Sequence, residues 1–484
     1  MKKILSALLA LLVICVPVIF SACSDSADNE GTDTTTAADD TAAGTGGDET
    51  EEVVETLDIP NVTYPDYTYT ILCHTDVAYN YGSVDFDEPS DDAREQALYQ
   101  RGVAVEELLE CTIDMKQAAI GDGVYQLFKT DVDAGLDTYA MIINNNSYTC
   151  SAVGSGYCLN VDELEYIDLS KSWWNDDCTE QLAIGGNHYM IAGDIALSDK
   201  ECIWAVYFLK DVLEEVASDV NIYDLVLSGE WTWDQMYSIS KLAVRDVNGN
   251  GTRDQNDRYG ITTHWENWAA SWQAAGLKLV TLDSNGIPQV SWGTDEFFEV
   301  FEDIKTIMND TDTVSPNDDS FIYTSVLQGQ TLFATEVVAH AMNYRDSEYD
   351  FGIVPYPKYS ADQERYYSYV AVWACVCSFP LTTSNFERTS VITEALAYYG
   401  QEYLMPAYYE TQLQSRFIRD EESADMLDII FEHRSYDLGV YFDWGSAYSK
   451  LSDADANPAT LYASLSKSIN KAIEKSLDKL GIYS

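Results

Sequence analysis

The chain has 484 residues, 46% of them hydrophobic and 12% aromatic, with 34 Tyr and 11 Trp. Its 81 acidic residues against 27 basic ones give a formal charge of −54. So negative a chain repels phosphate backbones and anionic lipid, which argues strongly against nucleic acid and anionic lipid surfaces as partners; most of the charge reads as solubility in a salty exterior.

The first residues read as a targeting signal. Lys2 and Lys3 form a basic start, Ile4 to Phe20 an apolar stretch too short to span a bilayer comfortably, and the small Ser21 and Ala22 precede Cys23. This ending resembles the bacterial lipobox, with residues 1–22 as signal peptide and Cys23 as the lipidated mature N-terminus. Phe20 stands where that pattern usually has Leu. Residues 23–56 are almost entirely Ser, Asp, Glu, Thr, Gly and Ala. They carry too little apolar surface to offset the entropy of ordering, and their like charges repel, so they read as a disordered acidic tether. No later apolar run is long enough to span a membrane.

The remainder exceeds a single ordinary core and implies two lobes. Alternation in Tyr69–Cys73 predicts a strand, and Ala97, Leu98, Arg101, Val105, Leu108 and Leu109 recur at helical spacing within 91–110. A strand over Cys111–Met115, a helix over Val124–Val132 and a strand over Tyr139–Ile143 follow. This alternation predicts a parallel sheet covered on both faces, with ligands beyond the carboxyl ends of its strands, at His74–Asp76 and Asn144–Tyr148. Further on, Cys202–Leu209 reads as an apolar strand followed by a helix over Lys210–Val216. Thr232, with Gln235 three residues on, reads as the cap of a helix ending near Val244. Phe297–Met308, Val391–Tyr399 and most of the last sixty residues read as helical, with a break around Asp453–Pro458.

Of ten Cys, Cys15 lies in the signal and Cys23 is the anchor. Most of the other eight read as small buried hydrophobes, and Cys150 with Cys158 is the pair to test for a bridge. Asp246, Asn248, Asn250, Thr252, Asp254 and Asp257 fall on the oxygen-bearing positions of a twelve-residue calcium loop, with Gly251 at the sharp turn. The last position is Asp rather than Glu, the shorter arm of dockerin-type loops. A structural calcium ion would pin the preceding helix end to a strand Tyr259–Thr262.

The five His form no zinc pair, and no nucleophile elbow or phosphate loop occurs. Ser464-Leu-Ser-Lys467 matches a penicillin-binding motif by chance, without its companions. Residues alone leave three readings open: a binding receptor, an exported carbohydrate-active enzyme, and a receptor for a peptide or metal chelate.

Several segments in order carry a resemblance: the lipobox and tether, Ile167-Asp-Leu-Ser-Lys-Ser-Trp173-Trp174-Asn175, Trp231-Thr-Trp-Asp234, the Asp-rich loop before Tyr259-Gly260, Gln328-Gly-Gln-Thr-Leu-Phe333, Asp350-Phe-Gly-Ile-Val-Pro-Tyr-Pro-Lys358, Ala407-Tyr-Tyr-Glu410, and Arg419-Asp-Glu-Glu-Ser423. Together they resemble the family 1 extracellular solute-binding proteins, the lipoprotein receptors of carbohydrate ABC importers. The resemblance implies an α/β, two-lobed periplasmic-binding-protein-like fold of type II, with an interlobe ligand cleft and a helical C-terminal region. It places lobe one at 57–200 plus 370–405 and lobe two at 205–365 plus 406–484, with hinges near Ile203–Phe208 and Tyr367–Ala374. It also implies a non-catalytic monomer on the extracellular face of the membrane, working with ABC permease subunits. Cleft contacts to a carbohydrate, an oligosaccharide, fall on His74, Asn145, Tyr148, Thr335, Glu336, Trp373 and Trp444. Trp265 and Trp268 join them, in the cluster His264-Trp-Glu-Asn-Trp268. Trp and Tyr suit the apolar faces of a pyranose, and polar side chains its hydroxyl rim. Trp173, Trp174, Trp231 and Trp233 read as structural.

Replacing the anchor, Cys23→Ala, is expected to release the protein into the medium; fractionation that leaves the variant on the membrane would overturn the lipobox reading.

Overall fold

The computed structural model describes residues 55–75, 85, 88–315, 318–345, 347–409 and 421–482. The signal peptide, Cys23, nearly all of the tether, Asp76, Glu410, Arg419 and Asp420 lie outside the described residues. The strands, in chain order, are β1 Thr68–Thr75, β2 Thr112–Ala119, β3 Met141–Asn145, β4 Trp204–Leu209, β5 Tyr259–Thr262, β6 Val280–Leu282, β7 Pro288–Val290, β8 Thr331–Val337, β9 Phe351–Pro355, β10 Ser368–Tyr369, β11 Cys375–Ser378 and β12 Arg434–Ser435.

The first sheet has the order β11-β3-β1-β2. β1 runs parallel to β2 and β3, and β11 closes the edge antiparallel to β3. Every residue of β3 is buried, the pattern of a strand covered on both faces. The crossover helix α1, Ala93–Leu109, starts where the Asp92 carboxylate accepts from the amides of Arg94 and Glu95. It buries Ala97, Leu98, Arg101, Val105 and Leu109, but Leu108 is exposed. A second crossover helix is α2, Asp122–Asp133, and the helix α3, Asn146–Gly154, follows β3. β2 runs four residues beyond its expected end, and β3 begins and ends two residues later than expected. Both shifts follow from register, since β1 pairs with β2 along its whole length and with β3 only at Ile71 and Leu72.

The second sheet has the order β5-β8-β4-β9, with β4 antiparallel to β8 and β9, and β5 parallel to β8. The helix Trp233–Ala243 leading toward β5 is capped as its sequence implies, Thr232 accepting from the Gln235 amide. The chain passes between the sheets twice at one place. Ile203 pairs with Val370 antiparallel, and the Ala371 amide donates to the Cys202 carbonyl at 2.9 Å. β10 and β12 form a short parallel pair beside this crossing. The helix Glu421–Glu432 packs on β9 of the second sheet. The final helix, Pro458–Lys479, touches both α3 and β7, so it joins elements on either side of the crossing. Among the described residues no helix is long and apolar enough to cross a membrane.

Trp173, Trp174, Trp231 and Trp233 are all buried. The Glu394 carboxylate accepts from Trp173 Nε1 at 3.0 Å on one oxygen and from Trp174 Nε1 at 2.9 Å on the other. None of the eight described cysteines is in a disulfide and all are buried, so Cys150 and Cys158 form no bridge. Cys150 Sγ instead lies 3.6 Å from Met190 Sδ in the core. Burial pushes the thiols of Cys73, Cys158 and Cys377 up to about 12, which leaves almost no thiolate to react.

Burial raises the carboxyls of Glu201, Glu266 and Glu394 to about 7. A carboxyl held higher in the fold than in the open chain favours the folded state fully below about 4.5, and that contribution is lost as pH rises through 7. Acids held low, such as Asp254 and Asp318, have finished titrating before this window opens. The melting temperature is therefore expected to fall between pH 5 and pH 8. Scanning calorimetry in high salt, which screens the exposed charges but not the buried ones, should preserve the fall; a flat profile there would contradict it.

Candidate ligand-binding cleft

The segment Ala371–Ala374, where the chain returns to the first sheet, is held from both sides. From the first sheet, the Asn146 amide donates to the Ala374 carbonyl at 2.8 Å and Asn146 Nδ2 to the Ala371 carbonyl at 3.2 Å. From the second, Glu266 Oε1 accepts from the Val372 amide at 2.9 Å and Glu266 Oε2 from Trp373 Nε1 at 2.7 Å. Asn146 opens α3 at the carboxyl end of β3, and Glu266 lies in the loop beyond the carboxyl end of β5. The carboxyl ends of parallel strands in both sheets thus converge on one short segment, the place where such sheets take ligands.

On the first side, Asn145 caps α3 by accepting from the Tyr148 amide at 3.0 Å. Asn144 exchanges two hydrogen bonds with the backbone of Gly121, at 3.1 and 3.0 Å, tying the β2–α2 turn to β3. Gly121 has φ +70°, and a Cβ there would sit 2.7 Å from the Tyr148 ring, so only glycine fits. Tyr148 then lies 6.0 Å from Tyr125, centroid to centroid. His74 is buried, with 1% of its surface exposed.

On the second side, Trp265 is 40% exposed, and its ring lies 5.3 Å from His264 and 6.2 Å from Tyr448. His264 in turn lies 5.6 Å from Trp204 at the crossing. Trp373 is half-buried, with its indole edge fixed by Glu266. Thr335 is fully buried and its hydroxyl donates to Thr263 Oγ1 at 2.7 Å. Glu336 pairs with His340 Nδ1 at 2.8 Å.

The candidates divide accordingly. Tyr148, Trp265 and Trp373 stand around the converging strand ends with part of their surface accessible, whereas Asn145 and Glu336, like His74 and Thr335, are buried. Trp268 is buried and stacks on Phe301 at 5.4 Å and 19°, within the core of the second unit. Trp444 is buried, stacks on Phe442 at 4.2 Å and 12°, and donates to Ser476 of the last helix at 3.2 Å. Both do packing work. Trp265 lies in the turn before the helix Asn267–Ala274, whereas Trp268 lies inside that helix, against Phe301. Glu266, Tyr448 and Tyr125 escaped the sequence reading. Only Glu266 left a signal, as an acid between two indoles just past a strand.

A separate cavity of about 290 Å³ is lined by Trp174, Asp194, Asp199, Lys200, Tyr409 and Arg434, among others. Its charges satisfy one another: Lys200 Nζ lies 2.9 Å from Asp194 and 3.4 Å from Asp199, and Arg434 lies 3.5 Å from Asp199. It offers a ligand no unmatched charge.

In the Asp246–Asp257 loop, the Asp246 carboxylate accepts from the amides of Gly249 at 2.6 Å and Gly251 at 2.9 Å. Asn248 and Asn250 accept from the amides of Asn250 and Thr252, and Asp257 from those of Val247 and Asp254. Asp254 meanwhile accepts from the side-chain amides of Asn248 and Asn250. The chain curls as a cation loop does, with Gly251 at φ +71°. Its three carboxylates are not drawn together: among the described residues no three His, Cys, Asp or Glu side chains are grouped to hold a metal.

By sequence, no protein family and no curated protein matches the chain. By structure it is similar to the ABC substrate-binding protein of Listeria monocytogenes in complex with cycloalternan, at 11% identity and TM-score 0.53, covering 86% of this chain and 100% of that one. It is similar to the maltose/maltodextrin-binding domain of Bdellovibrio bacteriovorus bound to maltotriose, at 13% identity and TM-score 0.54, covering 84% and 100%. It is also similar to the cyclic α-maltosyl-1,6-maltose binding protein of Arthrobacter globiformis, at 12% identity and TM-score 0.56, covering 85% and 100%. With its two sheets, its paired crossing and these likenesses, the chain has the two-lobed α/β fold of the ABC solute-binding proteins.

Proposed function

We propose that the protein is a lipid-anchored, non-catalytic receptor of an ABC importer that captures a carbohydrate, an oligosaccharide, between its lobes and hands it to membrane permease subunits. The observation that carries this reading is the convergence of both strand ends on Ala371–Ala374, with Trp265 and Trp373 beside it. An indole face suits the C–H face of a pyranose, and polar side chains such as Asn145 and Glu336 suit its hydroxyl rim. The oligosaccharides in the solved structures of the same fold favour sugar over peptide or chelate. The two crossing strands permit rotation of one lobe against the other, and a ligand touching both biases the closed form by its contacts there. ATP hydrolysis belongs to a separate cytoplasmic subunit.

A thermal-shift and intrinsic-fluorescence screen with maltotriose, maltotetraose and cycloalternan, extended to other oligosaccharides, tests this. At least one is expected to raise the melting temperature, change the fluorescence, and be recovered uncut. Trp265→Ala is expected to cost about 1–3 kcal/mol of affinity, the scale of aromatic hot spots, with an unchanged melt. A screen with no binder, or recovery of shortened sugars, would overturn the reading.

We further propose that the Asp246–Asp257 loop takes a structural calcium ion through Asp246, Asn248, Asn250, the Thr252 carbonyl, Asp254 and Asp257. The support is the donor set and the curl of the chain; the ion would draw Asp254 off the amides of Asn248 and Asn250. Binding the folded state alone stabilises by about 2.7 kcal/mol at a hundredfold excess over Kd. Chelation should therefore lower the melting temperature, and Asp246→Ala should abolish that response. An unchanged melt under chelator would rule the ion out.

A further inference from the structure

We propose that Glu266 is a positioning residue that sets both ligand-facing indoles, clamping Trp373 and the returning chain to the loop that carries Trp265. This rests on the receptor reading above and names what holds the aromatic surface in place. Glu266 is itself fully buried and touches no solvent, so it acts through its neighbours. Its two oxygens accept three hydrogen bonds: from Tyr369 Oη at 2.8 Å and the Val372 amide at 2.9 Å on one, and from Trp373 Nε1 at 2.7 Å on the other. All three partners lie on the returning segment, while Glu266 is covalently joined to Trp265 in the second unit.

An indole N–H and a backbone N–H can only donate, so both oxygens must accept at once. A carboxylate does this; the isosteric amide cannot, because its NH₂ would face an N–H on one side or the other. The fold keeps this acid although burial opposes its charge and raises it to about 7, the three donors offsetting part of that cost. Protonation turns one accepting oxygen into a donor and loosens the clamp. The other titratable groups around it are Glu336, which faces it and is paired with His340, the phenols of Tyr356, Tyr369, Tyr441 and Tyr448, and His264, whose Nδ1 accepts from the backbone amide of Glu266 at 3.2 Å. The same carboxylate–indole pairing occurs at Glu394 with Trp173 and Trp174, but there both indoles are buried and the pairing only packs the core. At Glu266 one indole it fixes is half-buried and the residue joined to it is 40% exposed, so the clamp holds a surface a ligand can touch.

The test uses the mature protein with ¹⁵N-labelled indoles, the Trp373 signal being assigned by its loss in Trp373→Phe. In the unliganded wild type the Trp373 indole N–H is expected to titrate with a midpoint near pH 7. It should keep that midpoint in His264→Gln, which removes the neighbouring imidazole, and become displaced and independent of pH in Glu266→Gln. A wild-type titration that is lost in His264→Gln, or a Trp373 signal that stays where it is in Glu266→Gln, or in Glu266→Asp should the first variant fail to fold, overturns the clamp. With a sugar from the screen, Glu266→Gln should weaken binding about tenfold, or about 1.4 kcal/mol, and Glu266→Asp less. Unchanged affinity in a folded Glu266→Gln defeats the positioning role. Because the indole titration needs no ligand, a screen without binders defeats the receptor reading and leaves the clamp to stand or fall by that titration.

Discussion

The pairing of Ile203 with Val370 is the constraint on which the architecture rests. The first sheet is not complete until β11 arrives, and β11 comes only after all four strands of the second sheet. The chain must therefore leave the first unit and return to it at one place. The antiparallel bridge, with the Ala371 amide on the Cys202 carbonyl, satisfies both backbones there.

Placing the crossing there decides where chemistry can sit. The loops after β3 and β5 both end against the returning segment, and side chains at those loop ends become neighbours although far apart in sequence. Polar groups do this joining. Asn146 meets the carbonyls of Ala371 and Ala374, and Glu266 meets the donors of Tyr369, Val372 and Trp373. Each satisfies polar groups of the returning segment that would otherwise lack a partner where they are buried.

Buried acids recur throughout the molecule as acceptors for donors that have no other choice. Glu394 serves two indoles and Glu266 an indole, an amide and a phenol. In both, burial raises the carboxyl to about 7. Part of the fold is thereby held by groups that resist their own ionisation, and neutral pH is where that tension is felt. The exposed acids contribute solubility and repel anions; they do not build the site.

The sequence by itself determined what local periodicity and turn chemistry can encode. The strand–helix alternation from Tyr69 to Asn145 is legible because a doubly covered strand must be apolar throughout and a crossover helix must show a stripe. Thr232 with Gln235 announces a helix start, since the cap closes within three residues. The apolar run around Ile203 marked a strand, and only the family resemblance made it a crossing. Tertiary structure alone decided which aromatics a ligand can reach. Trp265 and Trp268 look alike in sequence, yet one is exposed and the other stacks on Phe301, because exposure depends on what packs against each face. Trp444 is covered by Phe442 and the last helix, and no local pattern encodes that cover. The cysteines read in sequence as small buried hydrophobes and the eight described are buried, while of Cys150 and Cys158, the pair to test for a bridge, Cys150 packs against Met190. Glu266 is the sharpest case. Its residue type was legible as an acid between indoles, but its role arises only when a segment a hundred residues later returns to supply three donors, since a hydrogen bond is made by proximity in space and not in sequence.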